Sequence, residues 1–140
     1  MTEHQIPVPR DVEADMVASF RQAGIEAKTI VPADRAAGTV RVSRTGGTTD
    51  DYQGQRDVVD LLIEVWESDS VSAYATAQRC YGALVAIAMR GALASGESIY
   101  RADVAPPRAY DDPQAPNLYR VTFTATIATT LETITISLKD

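Results

Sequence analysis

The chain has 140 residues, 45% of them hydrophobic, and a net charge of -6 from 13 basic and 19 acidic side chains. That length suits one domain with a real core and leaves little room for two. Its single cysteine, Cys80, excludes an intramolecular disulfide. The absence of any basic run argues against tight binding of nucleic-acid phosphates. The longest apolar stretch, Leu84 to Met89, is far too short to cross a bilayer.

Residues 1–10 contain Pro7 and Pro9 and read as an extended leader. They have no apolar h-region, so a signal peptide is not expected and the chain reads as soluble and made in the cytoplasm. Asp11 then opens a helix with Val12, Met16 and Phe20 on one face, acids in its first turn and Gly24 at its end. Residues 25–31 predict a short strand, and 39–44 an alternating one with Val40 and Val42 on one side and Arg41 and Ser43 on the other. The segment 45–55 carries three glycines among polar residues and predicts a mobile loop.

Residues 57–67 form the longest early strand. Val59, Leu61, Ile63 and Val65 make its apolar face, while Leu62 and Trp66 share the other face with Asp60 and Glu64. Such a mixed face predicts a contact surface. Acids concentrate here: 50–69 holds seven against Arg56 alone. Ser68 or Ser70 is expected to cap a second helix over 71–94, with a stripe of Tyr74, Ala77, Tyr81, Leu84 and Ala88. A strand at 98–104, a proline-rich loop at 105–117, a strongly alternating strand at 119–130 and a further alternation through Ile134, Ile136 and Leu138 complete the chain. The order α-β-β-β-α-β-β implies an α+β two-layer sandwich: a mainly antiparallel sheet of about five strands with two helices on one face. The sheet's other face would then be free.

The residues offer little chemistry. His4, the only histidine, falls in the leader, and Cys80 lies mid-helix beside the apolar stripe as a small core residue. Asp50-Asp51 and Asp111-Asp112 lack the spacing of a calcium loop. Asp60 and Glu64, four apart on a strand, stand about 13 Å from each other, too far to share a proton. Gly46-Gly47 matches no phosphate-loop pattern. No catalytic, cofactor or metal site is therefore expected.

Four segments in order resemble the tail terminator family of long-tailed phages, especially those infecting actinobacteria. They are VPADRAAGTVRVSRTGG (31–47), QRDVVDLLIEVWESDSVSAYATAQRCYGAL (55–84), GESIYRADVAPP (96–107) and DDPQAPNLYRVTFTATI (111–127). The resemblance spans a single domain at 11–130. Val58 departs from the proline or small residue usual after the Arg-Asp pair, and 131–140 form a C-terminal extension beyond it. The resemblance implies a structural virion protein and not an enzyme. It implies a homo-hexameric ring at the head-proximal end of the tail, which caps the tail tube, ends its polymerisation and joins the head. Its partners would be the tail tube protein, head-tail connector proteins and genomic DNA passing through the lumen without specific binding. No membrane or cofactor is implied.

Interface residues expected on this reading are Arg41, Arg44, Gly46, Gly47, Tyr52, Leu62, Trp66, Ile134, Ile136 and Leu138. The terminal three are expected to add as a strand to a neighbouring sheet. The nearest alternative is a head-tail connector or minor tail protein. A small-molecule-binding α+β domain is the alternative of a different class, and it would need a pocket with convergent polar groups.

Overall fold

The computed structural model describes residues 1–50 and 56–140. Its elements run β1 (Thr2–Val8), α1 (Val12–Gln22), β2 (Thr39–Asp50), β3 (Arg56–Glu67), α2 (Ser70–Arg90), β4 (Ile99–Val104), β5 (Arg108–Ala109), β6 (Tyr119–Thr130) and β7 (Glu132–Leu138). The alternation of β3 and β6 sets the architecture. Both strands bury every second apolar residue, and they pair antiparallel along their full lengths. β2 flanks β3 and β4 flanks β6, giving the order β2-β3-β6-β4, with β5 also on β6. The fold is an α+β sandwich whose helices cover one face of a mainly antiparallel sheet.

Register builds the core in rows. Val40, Val65 and Val121 lie side by side, as do Val42, Ile63 and Phe123. Above them α1 contributes Val12, Met16 and Phe20, and α2 contributes Ala73, Ala77, Cys80, Leu84 and Ile87, all in one cluster. Each fully buried large apolar side chain stabilises by about 2 kcal/mol. The alanines of α2 let its backbone lie close to the sheet. The buried stripe of α2 is rotated from the expected one, so Tyr74 is exposed and Tyr81 packs edge-on against Phe123 at 5.8 Å between ring centres.

Caps explain the helix ends. The Asp11 carboxylate accepts from the Ala14 N–H at 3.1 Å. Asp69, not a serine, caps α2: it accepts from the Ser72 N–H at 2.8 Å and the Ser72 hydroxyl at 3.0 Å. Those bonds hold the Asp69 carboxyl below its usual pKa. Gly91, at φ +80°, closes the helix earlier than expected.

Other expectations need correction. The leader is the strand β1, paired antiparallel with β7 from Thr2–Leu138 to Val8–Glu132. The strand expected at 25–31 shrinks to one bridging residue, Lys28, on the edge of β2. The loop expected at 45–55 is strand as far as residue 50, and 51–55, with Tyr52, lie outside the described residues. The proline-rich loop contains β5 and is held within the subunit, as described below.

Cys80 is fully buried, and desolvation pushes its thiol up to about 11. The thiol should therefore react with a maleimide at neutral pH only as the protein unfolds. Cys80→Ala should lower stability by about 1–2 kcal/mol in denaturant titration, the size of a small packing loss.

Candidate interaction surfaces

Charge in β3 falls on both faces of the sheet, with Glu64 on the outer face and Asp57 on the face that the helices cover. In β3, Glu64 and Asp57 are buried although both are carboxylates. An unpaired buried charge is costly, so each must be answered by a cation. Glu64 takes Arg41 from β2 on one oxygen at 2.6 Å and Arg120 from β6 on the other at 3.1 Å. Asp57 takes both terminal nitrogens of Arg44 at 2.7 and 2.8 Å, a two-pronged pair. This bond, foremost, raises the Arg44 pKa further. Thus two of the acids concentrated in 50–69, Asp57 and Glu64, are neutralised within the subunit.

Beside Glu64, Trp66 lies fully buried. The guanidinium groups of Arg35 and Arg41 stand 4.7 and 5.4 Å from its ring centre. Its indole N–H donates to Asp112 Oδ2 at 2.8 Å, and Asp112 also pairs with Arg35 at 3.3 Å. Arg120 donates to the carbonyls of Tyr110 and Asp111. These contacts fasten the loops 31–37 and 110–118 over one end of the sheet. Trp66 therefore corrects the expected contact surface: it anchors loops of its own subunit and offers nothing outward. Leu62 is half-buried between Ser43 and Thr124 in the adjacent strands.

Arg41, Arg44, Gly46 and Gly47 likewise serve the subunit's own hairpin. β2 bulges between Arg44 and Gly46, and there Glu13 of α1 accepts the Arg44 backbone N–H at 2.6 Å. Gly47 sits at φ +119°, and a Cβ there would stand 2.0 Å from the Val58 carbonyl oxygen. At Gly46 a Cβ would meet Asp60 at an ordinary 3.5 Å. The sequence shows the glycines but not which of them is indispensable.

The second surface is apolar. β1 and β7 form a two-stranded ribbon that pairs with no other described strand. One face carries His4, Ile6, Ile134, Ile136 and Leu138, and the other carries Glu3, Gln5, Thr133, Thr135 and Ser137. Ile134, Ile136 and Leu138 are 40%, 39% and 54% exposed. The alternation of Ile134, Ile136 and Leu138 makes the β7 half of this face legible in the sequence. The β1 half is not legible because Pro7 interrupts the pattern, although a strand with one neighbour tolerates proline. Arg10 braces the ribbon's root through Glu97 at 3.4 Å, and Glu97 also accepts from Thr130.

The third surface is a groove of about 450 Å³ between α2 and β4, lined by Tyr81, Val85, Met89, Ile99, Ala102 and Val104 among others. Among the described residues, no group of three or more His, Cys, Asp or Glu is placed to hold a metal. No described helix is long and apolar enough to cross a membrane.

Two outcomes follow. Gly47→Ala should destabilise the fold by about 2 kcal/mol or more, while Gly46→Ala costs far less, as read by thermal unfolding. For Asp112, burial opposes ionisation, but the Trp66 and Gln114 N–H groups, with Arg35 and Arg120, hold its pKa below the usual value. Ionised Asp112 therefore stabilises the fold at neutral pH, and this contribution is lost as pH falls through the lowered value. Asp112→Asn should be less stable at pH 7, with the difference narrowing below about pH 4. Comparison with known families and with curated proteins finds no match to this chain.

Proposed function

We propose that the chain is a ring-forming structural subunit of a long-tailed phage, placed at the head-proximal end of the tail, where it caps the tube. The observation that carries this reading is the amphipathic β1–β7 ribbon, which presents apolar side chains that its own subunit leaves uncovered. A two-stranded ribbon is marginal by itself, and an uncovered apolar face of this kind suits a partner surface. The resemblance in four ordered segments supplies the assembly: a hexamer of this chain, in contact with the tail tube protein on one side and head-tail connector proteins on the other.

The physical need for such a subunit is simple. A tube of stacked identical rings exposes a fresh end after every addition, so its growth does not stop by itself. A closed ring with one face complementary to the tube and the other face different ends it. DNA would pass through the lumen ungripped, which is compatible with a net charge of -6. Charged groups such as Arg41, Arg44, Asp57 and Glu64 would set the subunit's shape, because they are spent on pairs within it.

A second reading rests on the groove between α2 and β4, whose Tyr81, Tyr100 and Arg101 could meet a small molecule. A thermal-shift screen addresses it: a ligand that stabilises the wild type and not a Tyr81→Ala variant would favour that reading.

A phage lacking this protein should make tails of variable, overrun length, and its filled heads should fail to acquire them. Electron microscopy of lysates measures both. Uniform tails of normal length attached to heads would contradict the capping role. Uniform tails that merely fail to attach would favour a connector.

A further inference from the structure

Two unpartnered features of this subunit match each other. β4 is an outer strand of the main sheet; the Gly91 carbonyl accepts the Ile99 N–H at its start, no described strand lies on its far edge beyond that, and the apolar groove runs alongside it beneath α2. β7 is likewise free on its far edge, and its apolar residues alternate at Ile134, Ile136 and Leu138. The free edge of β4 after Ile99, at 100–104, is short enough for the seven residues of β7 to cover. We infer that β7 of one copy adds to the β4 edge of the next copy, extending its sheet and laying Ile134, Ile136 and Leu138 in the groove between α2 and β4. This inference rests on the ring reading above and names its contact.

The occupant cannot be the subunit's own ribbon. Only Leu131 separates β6 from β7, and β6 is hydrogen-bonded to β4. One residue reaches about 3.4 Å, whereas crossing to the outer edge of β4 requires passing two strand spacings of about 4.8 Å each. A second copy has no such restriction. Chemistry supports the match. Met89, 83% exposed on the rim, and the half-exposed Tyr100 give the groove an apolar mouth with Arg101 beside it. The ribbon's apolar face ends in Glu132, and the strands β1 and β7 hold two carboxylates and no Lys or Arg. The backbone edges supply the hydrogen bonds and the alternate side chains supply the specificity, as in strand addition generally.

One strand in one groove is a small contact beside the roughly 1,200–2,000 Å² of a stable isolated interface. Ribbon and groove are different surfaces, so each copy can give one ribbon and receive another, which doubles its buried area. A closed head-to-tail ring does this, and so does a two-fold pair that exchanges ribbons, so the mass of the assembled species decides the copy number.

The test uses single variants Met89→Cys and Ile136→Cys in a Cys80→Ala background, with folding checked by circular dichroism. Both new thiols replace exposed side chains. With a short bismaleimide linker and concentrated protein, the mixture should yield covalent dimers holding one of each variant, and neither variant alone should link. Adding Ile134→Asp to the Ile136→Cys chain should remove the product while both thiols stay in place, and Ile136→Asp without any cysteine should weaken self-association about tenfold or more. Links between two Ile136→Cys chains, or no mixed links, would overturn the inference. A hexamer whose mass survives Ile136→Asp would overturn this contact and leave the ring reading standing. Mixed links in a closed species of another copy number would uphold the contact and overturn the hexamer.

Discussion

Strand β3 carries carboxylates into the middle of a sheet, and the rest of the subunit is arranged around satisfying them. Asp57 and Glu64 are both out of water. Removing one partner from such a pair costs about 3–5 kcal/mol, because the remaining charge stays buried. The neighbouring strands therefore must bring guanidinium groups to fixed positions. β2 brings Arg41 and Arg44, and β6 brings Arg120. These pairs tie the register of three strands together. A one-residue slip would flip every core side chain outward and would separate each carboxylate from its arginine at once. Trp66 extends the same device into the loops, since Arg41 serves both Glu64 and the indole ring.

This arrangement has a consequence for function. Charged residues that look like an interaction surface in the sequence are already engaged within the subunit. The surfaces left over are apolar: the ribbon face and the groove beside β4. Both border strand edges, of β7 and of β4 beyond Ile99, on which no described strand lies. Soluble proteins usually blunt such edges with charge, proline or cover, and here Pro7, Glu3 and Arg101 do so only in part. A subunit built for assembly has reason to keep them available. The rigid sheet sets where the edges point, and the ribbon's few contacts with the rest of the chain leave it free to adjust when it docks.

The fold was legible in the sequence wherever one face of an element meets the core. β3, β6 and both helices follow from periodicity alone, because burial on one side imposes a period of two or 3.6. Legibility failed where a second partner was needed. Nothing local in residues 2–8 announces a strand, since its partner lies some 130 residues away in β7. Residues 45–50 read as loop because glycine signals turns, yet here Gly47 permits the close passage of β3. Trp66 reads as part of a contact surface because it shares its face with Asp60 and Glu64. Only the three-dimensional meeting of Arg35, Arg41 and Asp112 explains its burial. The β7 half of the ribbon was visible as alternating isoleucines, and the groove was not visible at all, because it depends on how far α2 overhangs β4.

The central claim is that the β1–β7 ribbon is the element through which copies of this chain assemble. Hydrogen-deuterium exchange on dilute and on assembled protein tests it most directly. The account predicts that amides of β7 and of the outer edge of β4 gain strong protection on assembly, while those of β3 and β6 are protected in both states. Assembly that leaves β7 exchanging as fast as in the dilute subunit would contradict it.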